Sequence, residues 1–426
     1  MSNDLINRLE YLQELEQWQK QKDLIKIITG IRRCGKSTLL KLFQNKLIAD
    51  KLADESQIIS INLEDELQIQ ELGLVTDTEN FYTNYTTLLD YILASINKDK
   101  MNYVFIDEIQ LLRNWQKVAN TLRLQTNIDV YLTGSNAYMF SKDLANVLGG
   151  RYVEIKMQPL SFKEYFSYYQ KNAAKNIPSF SLQDIYTHYI TESGFPQTLS
   201  MMYNRQHITD YLQTTVYQNT IYKDIIKRFN IKYTNKLDAV ARYMFDNIGN
   251  ETSIRNIANN LKDYKISVQT ISDTYIQGML DSFLLYKCER YDIKGKQYLE
   301  SNAKYYIADI GLRTAILGLK DMDAGHILEN VVYLELLRRG YEVSVGKIYK
   351  NNKEIEIDFV AKKSAGIVEY YQVALSILTD ANVLKREITP LQAIEDNYPK
   401  FLLTMDSGST DNNGIHRINV FDWLLQ

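Results

Sequence analysis

The feature that most constrains this chain is the run GIRRCGKS at residues 30–37. The run fits the pattern G-x-x-x-x-G-K-[ST]. The strand-like segment LIKIIT (24–29) precedes it, and a helical pattern follows it. Its two glycines, Gly30 and Gly35, let backbone N–H groups turn inward around the oxygens of a phosphate group. Because a strand, this loop and a helix in succession are the context in which the pattern binds nucleotide phosphates, the chain is expected to fold around a phosphate-binding loop.

The residues of this loop have separate expected roles. Lys36 places a positive charge at the β- and γ-phosphates, and Ser37 offers its hydroxyl group to Mg²⁺. The helix that starts near Lys36 points its positive dipole end at the same phosphates. ATP and Mg²⁺ are the expected cofactors, and the expected contact residues are Gly30, Arg33, Cys34, Gly35, Lys36, Ser37 and Thr38.

Two acidic residues, Asp107 and Glu108, follow the apolar strand-like run YVFI (103–106). Asp107 can hold the Mg²⁺ shell, and Glu108 can act as the general base that polarises the attacking water. A strand that ends in two carboxylates is often no more than a solvated strand end. The phosphate-binding loop upstream favours the catalytic interpretation.

Three further polar residues are candidates for a role at the γ-phosphate. Asn136 or Ser135, at the end of another strand-like run, can sense that phosphate and orient water, and a simple polar turn is the alternative. Arg151 follows two glycines and can stabilise transition-state charge in its own site or in that of a neighbouring subunit. An ordinary surface arginine is the alternative for Arg151.

Strand-like and helical segments alternate in the first part of the chain. The strand-like runs lie at 24–29, 57–63, 103–107, 129–135 and 151–157. Such alternation predicts an α/β fold with a doubly wound, mostly parallel sheet, as in P-loop NTPases. After Pro159 the pattern turns helical, and an α/β pattern returns near the C-terminus. The predicted domains are a P-loop ATPase domain at 1–170, a helical connector at 171–250, a winged-helix domain at 251–320 and a C-terminal α/β module at 321–426.

Composition excludes several classes of protein. The chain has 426 residues and a net charge of −3, so no global basic field attracts nucleic acid or membrane. Two cysteines, Cys34 and Cys288, cannot form a disulfide framework, and the four scattered histidines give no zinc signature. The N-terminus has no signal-peptide core, and no apolar run approaches the roughly 20 residues that a membrane helix needs. A cytoplasmic location without a membrane partner is expected.

Over nearly its whole length the chain resembles the bacterial and archaeal AAA-type ATPases, relatives of the STAND NTPases, that carry a C-terminal domain of unknown function. The motifs are GIRRCGKST (30–38), YVFIDEIQ (103–110), YLTGSN (131–136), GGRYVEI (149–155), PLSFKEY (159–165), SGFPQ (193–197), YYIADIGLR (305–313), GHILENVVYLEL (325–336), EIDF (356–359) and YYQVALS (370–376). The resemblance implies an ATPase core, a winged-helix segment and a restriction-nuclease-like C-terminal fold.

The segment 251–310 fits two helices followed by a two-stranded wing. Its second helix, at about 267–281, would enter a DNA groove, but it carries Asp273 and Asp281 and no lysine or arginine. The wing holds the basic residues Lys287, Arg290, Lys294 and Lys296. These could contact phosphates, or they could protect the edge of a hairpin. A packing or protein-contact role is favoured over sequence-specific DNA reading.

The C-terminal module lacks part of a nuclease motif. Restriction-like nucleases need a helix acid, an aspartate after a strand and Glu-x-Lys on the next strand. Glu335 and Asp358 fit the first two requirements, but the third falls at 372–374, where the residues are Gln-Val-Ala. Glutamine is a weaker metal ligand, and alanine cannot replace the lysine. The module is therefore expected to be inactive as a nuclease and to serve as an interaction platform.

Three functions follow from these features. The favoured one is a Mg²⁺-dependent ATPase that uses hydrolysis to switch or drive its C-terminal modules against a macromolecular partner, expected to be a protein. The alternative is an ATPase that engages DNA in repair, in mobile elements or in defence. An ATP-gated nuclease is least favoured. The sequence leaves a homo-oligomer open.

Overall fold

The structure is a computed structural model that describes residues 6–19, 21–78, 81–136, 148–173, 180–202, 204–319, 323–350, 353–364, 366–378 and 380–426. The chain divides into two compact units. The first is Met1–Pro159 with Asp281–Phe283, and the second is Leu160–Leu280 with Leu284–Gln426.

A five-stranded sheet forms the centre of the first unit. Its strands are Ile25–Thr29 (β1), Ile58–Asn62 (β2), Asn102–Asp107 (β3), Ile128–Gly134 (β4) and Tyr152–Lys156 (β5). The order across the sheet is β2-β3-β4-β1-β5, and every neighbouring pair is parallel. All residues of β1, β3 and β4 are buried, as expected where helices cover both faces of a sheet. The predicted α/β fold with a parallel sheet is therefore confirmed.

The helices of the first unit pack on this sheet because each carries an apolar face. They are Leu9–Gln19 (α1), Lys36–Ala49 (α2), Glu66–Glu71 (α3), Tyr85–Ser95 (α4) and Trp115–Arg123 (α5). Short 3-10 turns lie at Glu55–Gln57 and Ile109–Leu111. In α5, Trp115, Val118 and Leu122 point into the core at i, i+3 and i+7. Each fully buried aliphatic side chain contributes about 1.5–3 kcal/mol, so this face is sufficient to hold α5 in place.

The second unit begins with helices. They are Phe162–Ala173 (α6), Leu182–Glu192 (α7), Arg205–Asp210 (α8), Lys227–Phe229 (α9), Thr234–Asp246 (α10), Ile254–Asn260 (α11), Gln277–Asp281 (α12), Ile310–Leu317 (α13), Ala324–Arg338 (α14), Ala381–Gln392 (α15) and Val420–Leu424 (α16). Tyr211–Gln218, Thr220–Ile226 and Thr270–Ile276 are π-helical, and Pro196–Met201 and Lys262–Tyr264 are 3-10 turns. Residues 174–179, at the start of the predicted helical connector, lie outside the described residues.

An eight-stranded mixed sheet completes the second unit. Its strands are Leu285–Asp292 (β6), Gln297–Ile307 (β7), Glu342–Lys350 (β8), Lys353–Lys362 (β9), Val368–Ala374 (β10), Lys400–Thr404 (β11), Thr410–Asn412 (β12) and Ile415–Asn419 (β13). The order is β12-β13-β11-β10-β9-β8-β6-β7. The hairpin predicted as a wing, β6 and β7, is thus one edge of the sheet that the C-terminal strands build.

A few polar contacts fix the ends of helices in this unit. Asp309 caps α13 by accepting from the backbone N–H of Leu312 at 2.7 Å, and its other oxygen accepts from the N–H of Gly194 at the same distance. Ser181 and Asp184 form a reciprocal capping box at the start of α7. Within the described residues no helix is both long and apolar enough to cross a membrane.

Candidate nucleotide-binding site

The order of the strands decides which residues meet. Strand β4 lies between β1 and β3. Because the three strands are parallel, their carboxyl ends lie at one edge of the sheet. The loop after Thr29, the residues Thr133 to Ser135 and the pair Asp107–Glu108 therefore share this edge. Open parallel sheets bind ligands there.

The loop after β1 has the backbone that its sequence predicts. Gly30 has φ +145°, and an added Cβ atom would lie 2.0 Å from the carbonyl oxygen of Met157. Gly35, the N-cap of α2, has φ +109°, and Arg33 has φ +72°. Such positive φ values strain side chains other than glycine and are often retained at functional sites. The loop is therefore curved, and glycine is required at its start.

Lys36 and Ser37 begin α2 at this curve. Lys36 is buried, and its ammonium group donates to the carbonyl oxygens of Gly30 at 2.9 Å and Ile31 at 3.2 Å. Ser37 is exposed, and its hydroxyl group hydrogen-bonds Asp107. Since the first N–H groups of a helix lack partners within the helix, this end of α2 suits an anion.

Asp107 and Glu108 are both buried at the end of β3 and are connected through Thr133. The hydroxyl group of Thr133 donates to Oδ1 of Asp107 and accepts from the N–H of Glu108 at 2.9 Å. Burial raises the pKa of Asp107, although hydrogen bonds from Ser37 and Thr133 oppose that rise. A buried carboxylate beside a serine hydroxyl group is a donor set that suits Mg²⁺, which prefers oxygen ligands.

The end of β4 reaches Glu108 through Gln110. The side-chain amide N–H of Gln110 donates to Oε2 of Glu108 and, at 3.2 Å, to the hydroxyl oxygen of Ser135. Ser135 is buried, and Asn136 is half-buried at the end of the described segment. The expected phosphate-sensing positions thus lie at the edge that carries the acids. Gln110 and Thr133 were not expected as site residues. The sequence signal that could have indicated Thr133 is its place as a polar residue in the otherwise largely apolar strand β4.

The N-terminal segment adds a residue that no motif indicates. The guanidinium group of Arg8 donates to the carbonyl oxygens of Cys34 at 3.0 Å and Gln158 at 2.8 Å. It therefore ties the phosphate-binding loop to the end of β5. Cys34 is buried, and burial raises the pKa of its thiol, so Cys34 contributes backbone to the loop rather than a reactive thiolate. Both cysteines are free.

Arg151 is not brought to this edge of the sheet. It is exposed and immediately precedes β5, and its carbonyl oxygen accepts from the N–H of Ile25 at the start of β1. The phosphate-binding loop follows Thr29 at the other end of β1. At 3.3 Å per residue the full strand separates the two by roughly 16 Å. The geometry therefore places Arg151 far from the phosphate-binding loop of its own chain.

The fold and this site define a P-loop protein of the AAA type. Residues 22–166 match the family described as AAA domain, and residues 183–323 match a domain of unknown function. An uncharacterized protein of Haemophilus influenzae is 39% identical over 431 residues, which is 100% of both chains. The chain belongs to the family of that protein.

More distant proteins are also similar. An uncharacterized protein of Methanocaldococcus jannaschii is 29% identical over 79% of this chain and 71% of its own. Among solved structures, Aeropyrum pernix ORC1 in complex with DNA has a TM-score of 0.36 at 12% identity, covering 73% of this chain and 92% of that chain. AMPPCP-bound DnaA from Aquifex aeolicus has a TM-score of 0.34 at 13% identity, covering 65% and 92%. No functional conclusion follows from such low scores.

The acids of the C-terminal module are arranged differently from the expected nuclease motif. Both carboxylate oxygens of Glu335 are paired, with Arg338 at 2.7 Å and Arg339 at 2.8 Å. The helix acid that acts on Asp358 is Glu329, one of the charges that raise the pKa of Asp358 after burial. Within the described part of the chain, no group of three or more His, Cys, Asp or Glu side chains could hold a metal ion.

Lys304, on another strand, forms ion pairs with two acids beside Asp358. Lys304 on β7 lies 2.8 Å from Glu329 and 2.9 Å from Glu356. At the position where a nuclease would place its third acid, the amide group of Gln372 donates to Glu387 at 3.1 Å. The spacing of residues along the chain could not reveal Lys304, because it reaches the cluster through the pairing of β6 with β7 and β8.

Proposed function

We propose that this protein hydrolyses ATP in a Mg²⁺-dependent reaction and uses it to switch or drive its C-terminal modules against a macromolecular partner. The observation that carries the proposal is the joint contact of Ser37 and Thr133 with Asp107, beside Glu108, at the start of α2. A phosphate-binding helix end, a metal-binding acid and a candidate base are the parts that phosphoryl transfer requires.

The residues divide the reaction among them. The backbone of residues 30–37 and the ammonium group of Lys36 bind the phosphates, and Ser37 with Asp107 would hold Mg²⁺, which neutralises charge on the β- and γ-phosphates. Glu108 takes a proton from water as the water oxygen attacks the γ-phosphorus, and ADP leaves with the bridging oxygen.

Asn136 and Arg151 complete the proposal. Asn136, at the end of β4, would contact the γ-phosphate and orient the water. Arg151 lies at the amino-terminal end of the strands, opposite the phosphate-binding loop. It would act in trans, on the transition-state charge in the site of an adjacent copy. A homo-oligomer is therefore part of the proposal. A cytoplasmic location remains a prediction from the sequence.

The proposal is tested by phosphate release with ATP and Mg²⁺. Lys36→Ala is expected to abolish nucleotide binding, because it removes the charge that the phosphates meet. Lys41→Ala, five residues further along α2 and exposed, is the matched control and is expected to retain wild-type activity. Hydrolysis that survives Lys36→Ala would contradict the site, and hydrolysis that persists with excess EDTA would contradict the metal dependence.

A second candidate function, an ATPase that engages nucleic acid, is favoured by one surface of the second unit. From residue 222 to 236 the chain has five basic residues and one acid, Asp224, which is buried. The ammonium group of Lys236 donates to the carbonyl oxygen of Lys265 at 3.4 Å, which joins this segment to the turn at Lys262–Tyr264. The resulting basic surface comprises Lys227, Lys232, Lys236, Lys262 and Lys265 with Tyr222, Tyr233 and Tyr264.

The chemistry of this basic surface fits a single strand. Among the described residues, Lys232, Lys262 and Lys265 form no ion pair. Tyr222 and Tyr233 are 55% and 63% exposed, and Lys227 and Lys236 lie over their rings. Cations that are free to meet phosphates, interleaved with exposed aromatic rings, are the combination that binds single-stranded nucleic acid.

The predicted wing contrasts with this surface, because three of its four cations are already paired. Lys287 lies 2.7 Å from Glu289, and Arg290 lies 2.8 Å from Glu354. Lys294 lies 3.1 Å from Glu395. These contacts support the interpretation of the wing as a charge-protected edge rather than as a phosphate contact.

The basic surface is tested by the binding of a labelled oligo-dT strand at several salt concentrations. Changing Lys232, Lys262 and Lys265 together to Gln is expected to reduce the slope of log K against log salt by about 2, at about 0.7 for each phosphate contact of a single strand. Changing the exposed Lys41, Lys51 and Lys98 to Gln is the control of equal charge. Equal losses in both variants would contradict the proposal, and tighter binding of poly-glutamate would indicate an acidic protein partner.

A further inference from the structure

Gln110 occupies a position between the candidate base and the phosphate-sensing strand. It lies in the 3-10 turn Ile109–Leu111, directly after β3. One amide N–H group contacts Glu108, and the same nitrogen lies 3.2 Å from the hydroxyl oxygen of Ser135. The turn can form at this place because Glu108 adopts φ +54° and ψ +45°, which reverses the chain and brings the side chain of Gln110 back towards that of Glu108. This is an unusual conformation for a glutamate.

The other end of the same amide group is an unused acceptor. Oε1 of Gln110 is buried and has no hydrogen-bond partner among the described residues. A buried amide oxygen without a donor is costly. Rotating the amide by 180° would not resolve this, because it would place the oxygen against the carboxylate of Glu108. The orientation is therefore fixed by Glu108, and Oε1 requires a donor from elsewhere.

We infer that Gln110 is a positioning residue that holds Glu108 and the attacking water together. Its N–H group fixes Oε2 of Glu108, and its Oε1 accepts one O–H of the water while Glu108 accepts the other. The proton that Glu108 takes leaves the water oxygen free to form the new bond to the γ-phosphorus, and the bond to the bridging oxygen of ADP breaks. Through Ser135, the same amide group connects the base to the end of β4. The inference rests on the proposed ATPase function.

This role predicts a loss of turnover without a loss of binding. In Gln110→Ala, kcat is expected to fall roughly 10²-fold, which is the cost of misplacing a reacting group by about 1 Å. The KM for ATP and the affinity for a fluorescent ATP analogue should change less than about twofold. Gln125→Ala removes an equally half-buried glutamine in the same unit, with one hydrogen bond to the carbonyl oxygen of Thr121, and should leave kcat unchanged.

The split between kcat and ATP binding separates positioning from a structural role. A variant that is merely less stable would lose ATP-binding sites and turnover together, whereas a loss of positioning lowers kcat and leaves the number of binding sites unchanged. Gln110→Glu, which has the same shape, removes the donor and should lose turnover as well.

The experiment includes Glu108→Gln so that the two proposals can fail separately. If wild type hydrolyses ATP, Glu108→Gln does not, and Gln110→Ala matches wild type, the inference about Gln110 is overturned and the ATPase function stands. If Gln110→Ala is faster than wild type, Gln110 restrains Glu108 instead of positioning it, which also overturns the inference. If wild type is no more active than Glu108→Gln, both proposals are overturned.

Discussion

Thr133 and Asp107 lie on adjacent strands, and the hydroxyl group of Thr133 donates to Oδ1 of Asp107. The same hydroxyl group accepts from the N–H of Glu108 at 2.9 Å. One side chain on β4 thus fixes both acids of the candidate site. A buried hydroxyl group with both a donor and an acceptor role in use is a rigid element, because neither hydrogen bond can be exchanged for water.

Thr133→Val tests this connection with nearly the same shape. The change leaves the N–H of Glu108 and an oxygen of Asp107 without their partner, which costs about 1–3 kcal/mol for each buried group. Urea unfolding should show lower stability, and Mg²⁺-dependent ATP binding should weaken. Thr121→Val, in a helix of the same unit, is the control. A variant as stable as wild type would mean that the hydroxyl group of Thr133 does not stabilise the acids.

The raised pKa of Asp107 predicts a pH dependence with a definite sign. A carboxyl group whose pKa is higher in the folded state binds its proton more tightly there. The free energy of unfolding without Mg²⁺ should therefore fall as pH rises from the ordinary pKa of the group to its raised value. Affinity for Mg²⁺ with ATP should rise over the same window, because only the ionised form binds metal.

Asp107→Asn isolates this contribution. At neutral pH and without Mg²⁺ the variant should be more stable than wild type, with Tm higher by about 2–4 °C for each kcal/mol of relieved penalty. Its stability should also vary less across the acid window. Thermal unfolding measured between pH 4 and pH 8 checks both points. A lower Tm at pH 8, where wild-type Asp107 carries its charge, would show that hydrogen bonds outweigh burial.

Gly30→Ala should destabilise the protein through a steric clash, in addition to backbone strain. Its Cβ would lie 2.0 Å from the carbonyl oxygen of Met157, whereas a Cβ at Gly149, also with positive φ, would meet nothing within 4 Å. Gly149→Ala should cost about 1–2 kcal/mol from the left-handed conformation alone. Gly30→Ala should cost more and should also abolish nucleotide binding. Equal unfolding midpoints in urea for the two variants would exclude the contact as the cause.

Lys304→Met should destabilise the second unit strongly. Burial lowers the pKa of Lys304, but the negative charges of Glu329, Asp358 and Glu356 outweigh burial and raise this pKa above its ordinary value. The stabilising positive charge therefore persists at and above neutral pH. Removing it leaves the buried carboxylate of Glu329 without its lysine partner, at a cost of about 3–5 kcal/mol, whereas Glu356 keeps Lys347. Lys294→Met, which breaks an exposed pair, should cost at most about 1 kcal/mol. Urea unfolding at pH 7 compares them, and equal losses would refute the role of burial.

Much of the first unit was predictable from local pattern. The runs at 24–29 and 103–107 are apolar, and strands buried on both faces require such runs. Positions 30, 36 and 37 have roles set by loop chemistry, since only glycine accommodates the conformation at Gly30 and a cation and a hydroxyl group suit a phosphate with its metal. The assignment of Lys36, Ser37 and Asp107 to one nucleotide and Mg²⁺ site followed from these short motifs.

Other relationships depend on contacts between residues far apart in the chain. The place of β4 between β1 and β3 sets Thr133 against Asp107 and Gln110 against Ser135, and no spacing along the chain specifies that order. The register of β5 with β1 puts Arg151 at the far edge of the sheet, although its motif alone allowed either site. Glu329 replaces Glu335 as the acid near Asp358, because six residues turn a helix to another face.

The sequence by itself determined the phosphate-binding loop, the acidic pair and the α/β alternation, because each is written in neighbouring residues whose backbone and side-chain chemistry act locally. The tertiary structure decided how Glu108 is held, where Arg151 lies and which cations stay unpaired. These depend on strand order and register, and on long-range pairing of charges such as Lys304 with Glu329. Burial makes such contacts energetically decisive, and only the folded chain specifies which groups are buried together.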